Sequence, residues 1–244
     1  MHKNDLCGCF FNLETLLNHE HLKQLGDEFL RENISSSARL LYITVGLTSV
    51  TKDGHDISCF EIGKFLELCL HGNPFVFQAL FVPDHFVHQY QSKEWTELKL
   101  LNKYFLNKKV VSSHCAFAKR QLQQGEGKIK RAYQKNYYHS LRLCYETERL
   151  IQGLVPRIRF EKDTAEREML MEIRNHLPSE EKRSEYHRFI MNKLSSIEKT
   201  KPWNNVPNLH EIRMNDDSGQ YFVYHLNNWL IRLRVNDLLS RIEK

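Results

Sequence analysis

Asp5 leads a short apolar and aromatic run over residues 5–11, and Asp56 closes another extended stretch just before a helix-start signal. Carboxylates delivered by neighbouring strands can share Mg²⁺ ions, and a pair of ions held that way supports nucleotidyl transfer. Side chains alternate along a strand, so residues i and i+2 face the same way. The position that would share a face with Asp5 is Lys3. An ammonium there, where a third carboxylate would complete the set, opposes Mg²⁺. Each acid also has an ordinary reading. Asp5 can be a surface acid, and Asp56 can be a carboxylate stabilised by the positive end of a helix.

The elements that must position these acids follow from pattern. Residues 5–11 and 39–47 read as strands, and residues 13–30 as an amphipathic helix. Residues 48–54 read as a polar turn ending in Asp53-Gly54. Ser58 followed by Glu61 has capping-box spacing, and Ile62, Phe65, Leu66, Cys69 and Leu70 then recur at helical intervals. Gly72 supplies a left-handed cap and Pro74 blocks continuation. A short helix follows over residues 75–81. Helices are predicted over 95–105, 112–124, 128–152, 165–175, 178–199 and 221–242, with residues 201–217 as a loop.

The expected organisation is an α/β piece over residues 1–90, a helical domain over 91–200, and residues 201–244 as a loop and a C-terminal helix packing back. The α/β piece looks incomplete, because two or three short strands with an open edge make a poor sheet. A protein partner is expected to cover that edge.

Of the 244 residues, 41% are hydrophobic, enough to fill a core. No run approaches the ~18 consecutive apolar residues of a membrane span. No signal peptide is visible, so an intracellular protein, cytoplasmic or nuclear, is expected. The net charge of +5 is unevenly spread. Residues 101–142 hold ten lysines and arginines against a single acid, Glu126, with Tyr133, Tyr137 and Tyr138 interleaved. Such a stretch can bind phosphates and stack bases, or it can be a solvated helix face. Cys7 and Cys9 lack a second half-site, and Asp84, His85 and His88 lack a fourth ligand, so neither group makes a zinc site.

Several ordered motifs carry a resemblance. Asn4-Asp5-Leu6-Cys7-Gly8-Cys9-Phe10 looks like the tail of the Gly-Ser…Asp-x-Asp signature of predicted nucleotidyltransferases of the DNA polymerase β superfamily, the RNA-repair-associated type. Asp56-Ile57-Ser58-Cys59-Phe60-Glu61-Ile62-Gly63-Lys64-Phe65 is similar to the stretch after that family's third acid. Gly72-Asn73-Pro74, Leu80-Phe81-Val82-Pro83, Tyr138-His139-Ser140-Leu141-Arg142-Leu143 and Trp229-Leu230-Ile231-Arg232-Leu233-Arg234 follow in the family's order.

The resemblance implies an α+β fold: an incomplete polymerase β-type α/β core, shortened at its N-terminus, followed by a helical C-terminal half. It implies Mg²⁺-dependent transfer from NTP to RNA or another acceptor. Asp5 and Asp56 match catalytic, metal-binding acids. Lys64, Asn73, His139 and Arg142 match nucleotide-binding positions, and Gln78 stands where the family often carries Glu. With Lys3 in place of the first acid and the Gly-Ser turn absent, catalysis is expected to be deficient. A non-catalytic RNA- or protein-binding module is the alternative. Taken as plain residues, Lys64 can be solvated charge, Asn73 a cap holding Pro74, and Arg142 a partner for Glu146 at i,i+4.

Overall fold

The structure, a computed structural model, describes residues 47–52, 55–84, 92–126, 131–176 and 178–242. Two strands come first, β1 (Leu47–Lys52) and β2 (His55–Phe60). They pair antiparallel, with Lys52 opposite His55 and Leu47 opposite Phe60. Among the described residues eight α-helices follow: α1 (Ile62–Leu70), α2 (Pro74–Ala79), α3 (Lys93–Leu100), α4 (Lys108–Gly125), α5 (Arg131–Leu150), α6 (Ala165–Asn175), α7 (Glu180–Lys199) and α8 (Phe222–Ile242).

This corrects the expected fold class. Among the described residues no α/β nucleotidyltransferase core is seen. The described residues are mostly helical, and their β structure is one hairpin and an isolated bridge between Arg213 and Tyr221. Two strands cannot carry a layered α/β core, so burial is helix on helix. The strand at 5–11 and the helix at 13–30 lie outside the described residues, as does residues 39–46 of the second expected strand. The expected turn over 48–54 runs extended through Lys52 instead, in keeping with the β-branched Thr48, Val50 and Thr51.

Ser58 is likewise not a helix cap. It lies in β2 opposite Ser49, and Glu61 begins the helix instead. The Glu61 carboxylate accepts the Lys64 amide at 2.9 Å and meets Arg234 of α8 at 3.0 Å. Burial would raise its pKa, but the amides of Gly63 and Lys64 together with Arg234 bring it below the usual value.

The chain divides into two compact units. Among the described residues, the first comprises 47–52, 55–68, 82–84, 92–101 and 213–242. Within it Phe65 sits between Phe60 and Trp95, with ring centroids 6.2 and 5.9 Å away. Glu97 of α3 accepts from Trp229 Nε1 and Arg232 of α8, both at 3.1 Å.

The second unit comprises, among the described residues, 69–81, 102–126, 131–176 and 178–212. Its spine is the antiparallel pair α4 and α5. Ser140 Oγ donates to the Ala118 carbonyl at 2.8 Å. Nearer the connection, a Cβ on Gly125 would lie 2.6 Å from the Tyr137 ring, so only glycine allows that approach. Helix α7 lies along both, through Lys119–Glu198 and Lys193–Glu148. The turn after α1 brings Gly72 (φ 71°) against Val110, and Asn107 caps α4.

Candidate functional site

Four buried or nearly buried polar side chains meet in the second unit. Helix α2 is short and caps itself: Asn73 Oδ1 accepts from the amides of Phe75 and Val76 at 3.2 and 3.3 Å, and Pro74 takes the first helical position. Its inner face delivers Phe77, which is fully buried, and Gln78 at 2% exposure. Gln78 Oε1 accepts from Arg142 Nη2 at 2.9 Å, and its Nε2 donates to Glu146 Oε2. Arg142 Nε lies 3.1 Å from Glu146 Oε1, an ion pair rather than an aligned hydrogen bond. The three side chains close a ring of polar contacts. The amide of Gln78 suits its place because it can donate to a carboxylate and accept from a guanidinium at once.

His114 of α4 completes the cluster. It is fully buried, with the Phe77 ring edge-on at 5.7 Å. Its Nδ1 lies 2.9 Å from the Val110 carbonyl, which can only accept, so Nδ1 carries the proton. Nε2 has no hydrogen-bond partner among the described residues.

Burial dominates the electrostatics. It pushes the Glu146 carboxyl up to about 7, against the Arg142 charge and the Gln78 hydrogen bond. Burial pushes His114 down to about 4; the bond to Val110 works the other way, and the Arg142 charge adds to the depression. Arg142 itself is 14% exposed, and its remaining N–H groups have no acceptor among the described residues. It is therefore a guanidinium fixed on one edge and open on another, a geometry that suits a phosphate.

The residues singled out from sequence divide as follows. Asp5 and Lys3 lie outside the described residues. The backbone of Asp56 is in β2 opposite Thr51, so Asp56 lies near the start of a strand and not at the end of an extended segment beside a helix. Lys64 Nζ meets Glu67 at 2.9 Å on α1, an ordinary i,i+3 pair. Asn73 is the cap of α2. His139 stands three residues before Arg142 on α5, its ring 6.2 Å from Phe75. The structure thus brings Gln78, His139 and Arg142 to one region with Glu146 and His114, while Asp56 and Lys64 belong to the other unit.

Other motifs resolve plainly. Tyr133 and Tyr137 are buried at 2% and 4% exposure, with ring centroids 4.1 Å apart, and cannot stack on bases. Asp84 pairs with Lys99. Cys69, Cys115 and Cys144 are free and buried. Among the described residues no group of three or more His, Cys, Asp or Glu side chains can hold a metal, and no helix is long and apolar enough to cross a membrane.

Pattern reading missed His114. The signal was present: Val110, His114, Ala118 and Leu122 recur every four residues, all buried. A histidine inside such a stripe is desolvated wherever the stripe is covered.

A model of the RNA repair pathway DNA polymerase beta family matches residues 46–215. No curated protein and no solved structure matches the chain.

Proposed function

The chain belongs to the RNA repair pathway DNA polymerase beta family, and on that premise we propose that its scaffold serves transfer of a nucleotide from an NTP to RNA or another acceptor. Such transfer joins an acceptor hydroxyl oxygen to the α-phosphorus and releases pyrophosphate, the hydroxyl proton passing to water. The observation that carries the reading is the matched span, which takes in Asp56, Lys64, Asn73, His139 and Arg142. In this reading Arg142 contacts the triphosphate, and its fixed fork lowers the cost of ordering it. His139 flanks it, and Lys64 and Asn73 stand at positions that the family resemblance gives to nucleotide binding. Asp5 and Asp56 would hold Mg²⁺, whose chemistry is to neutralise charge on the phosphates.

Lys3 brings a positive charge where another acid belongs, which opposes Mg²⁺. We therefore read these 244 residues as binding Mg²⁺ weakly and as deficient in transfer. A second reading, a non-catalytic module that binds RNA or protein, is favoured for RNA by the exposed Phe75 ring beside His139. The test is incorporation of labelled nucleotide into RNA with Mg²⁺ or Mn²⁺, comparing the chain with Asp56→Asn, alongside NTP binding by calorimetry. The expected result is no incorporation above the Asp56→Asn background, with weak NTP binding that Arg142→Lys reduces further. Robust Asp56-dependent incorporation would overturn the deficiency. NTP binding indifferent to Arg142 would overturn the phosphate contact.

A further inference from the structure

Phe75 leaves 46% of its surface in solvent, although Pro74, Val76 and Phe77 beside it are buried. A single exposed ring is ordinary; the company of this one is not. Its ring meets Phe117 of α4 at 6.4 Å and His139 of α5 at 6.2 Å, both nearly at right angles. His139 in turn meets Tyr138 at 5.3 Å. The Arg120 guanidinium lies 4.3 Å over the Phe117 ring, and that of Arg174 lies 5.4 Å from the Tyr138 ring. Arg120 and, one turn before His139, Lys135 are exposed. Arg120 has no carboxylate partner among the described residues.

A row of rings edged by cations suits a ligand that offers flat π faces and negative charge together. A single nucleic-acid strand does so, whereas a duplex keeps its base faces stacked inside. An acidic protein surface would engage the arginines and leave the rings unused. We propose that Phe75, Phe117, Arg120, Tyr138 and His139 form the binding surface for single-stranded RNA, with a base stacked on Phe75 and the backbone phosphates meeting Arg120. This deepens the reading above by making the acceptor a single strand, and rests on that reading only for RNA over DNA.

The test uses the full chain and a short fluorescein-labelled RNA of mixed sequence, read by anisotropy in EDTA without NTP. Phe75→Ala and Phe75→Leu should weaken binding about tenfold, while Phe75→Trp should retain it. Arg120→Ala should weaken binding about threefold and lower the salt slope by about one between about 50 and 200 mM. Three results would each overturn the surface: Phe75→Ala binding like the parent, duplex RNA binding as tightly as the single strand, or polyglutamate displacing the RNA as well as unlabelled RNA does. Because neither NTP nor metal is present, the outcome is independent of the incorporation assay. Stacking can hold where transfer fails, and transfer can hold where stacking fails.

Discussion

Arg142 Nε lies 3.1 Å from Glu146 Oε1, one turn further along α5, and Glu146 is wholly buried while Arg142 is nearly so. On an exposed helix such a pair contributes a few tenths of a kcal/mol. Here both partners are desolvated, so neither tolerates loss of the other. Gln78 reaches the pair from α2, which ties a short helix to the α4–α5 spine.

Glu146→Ala should therefore cost about 3–5 kcal/mol, as should Arg142→Met, because each strands a buried polar partner. The double substitution Arg142→Met with Glu146→Leu should cost much less than the sum. Urea denaturation of the four proteins measures the coupling, and strict additivity would show that the pair is not a unit.

The two perturbed groups make opposite contributions to stability across pH. Glu146 binds its proton more tightly in the folded state, since its pKa rises from 4.5 to about 7. Its stabilisation is complete below 4.5 and is lost as pH rises toward 7. His114 falls from 6.5 to about 4, so it weakens the fold at low pH and this penalty lifts as pH rises from 4 through 6.5. Between about 4.5 and 6.5 the two slopes oppose each other. Glu146→Gln should then become more stable from pH 4 to 6.5, and His114→Leu less stable from pH 4.5 to 7. Urea midpoints taken across that range check both signs; two parallel profiles would refute the opposition.

Gly72→Ala should be costly. The residue sits at φ 71°, and an added Cβ would lie 2.4 Å from the Val110 Cα. Backbone atoms cannot rotate aside as a side chain can. The left-handed strain costs on the order of 1 kcal/mol by itself, and the clash adds to it. A thermal midpoint within a degree of the parent would mean that the turn after α1 relaxes freely.

Asn73 distinguishes a cap from a substrate contact. As the cap of α2, Asn73→Ala should lose about 1 kcal/mol of stability, while Asn73→Asp and Asn73→Ser keep it. As a nucleotide contact, Asn73→Asp would hold stability yet weaken NTP binding, since a second negative charge would face the phosphates. Thermal melts and NTP calorimetry on the same three variants separate the roles.

What the sequence determined by itself was local. The helices over 165–175 and 178–199 follow from spacing that survives any packing, and the structure has α6 over Ala165–Asn175 and α7 over Glu180–Lys199. The Gly72 and Pro74 punctuation marks the end of α1 and the start of α2 because φ preferences belong to the residue. The order of the motifs was enough to name the family. Tertiary structure decided the rest. Ser58 and Glu61 have capping-box spacing, but pairing of Ser58 with Ser49 makes it a strand residue and hands the cap to Glu61. Tyr133 and Tyr137 sit in a basic run that suggests base stacking, yet both are buried, Tyr137 against α4 at Gly125, whereas Phe75, with no lysine or arginine near it in sequence, leaves its ring exposed. The i,i+4 spacing of Arg142 and Glu146 was legible; that Gln78 closes their ring, and that His114 lies beside it, was not. Burial is conferred by partners as far apart in sequence as Gln78 and Glu146, which are separated by 68 positions, and the desolvation that moves Glu146 and His114 exists only once those partners have excluded water.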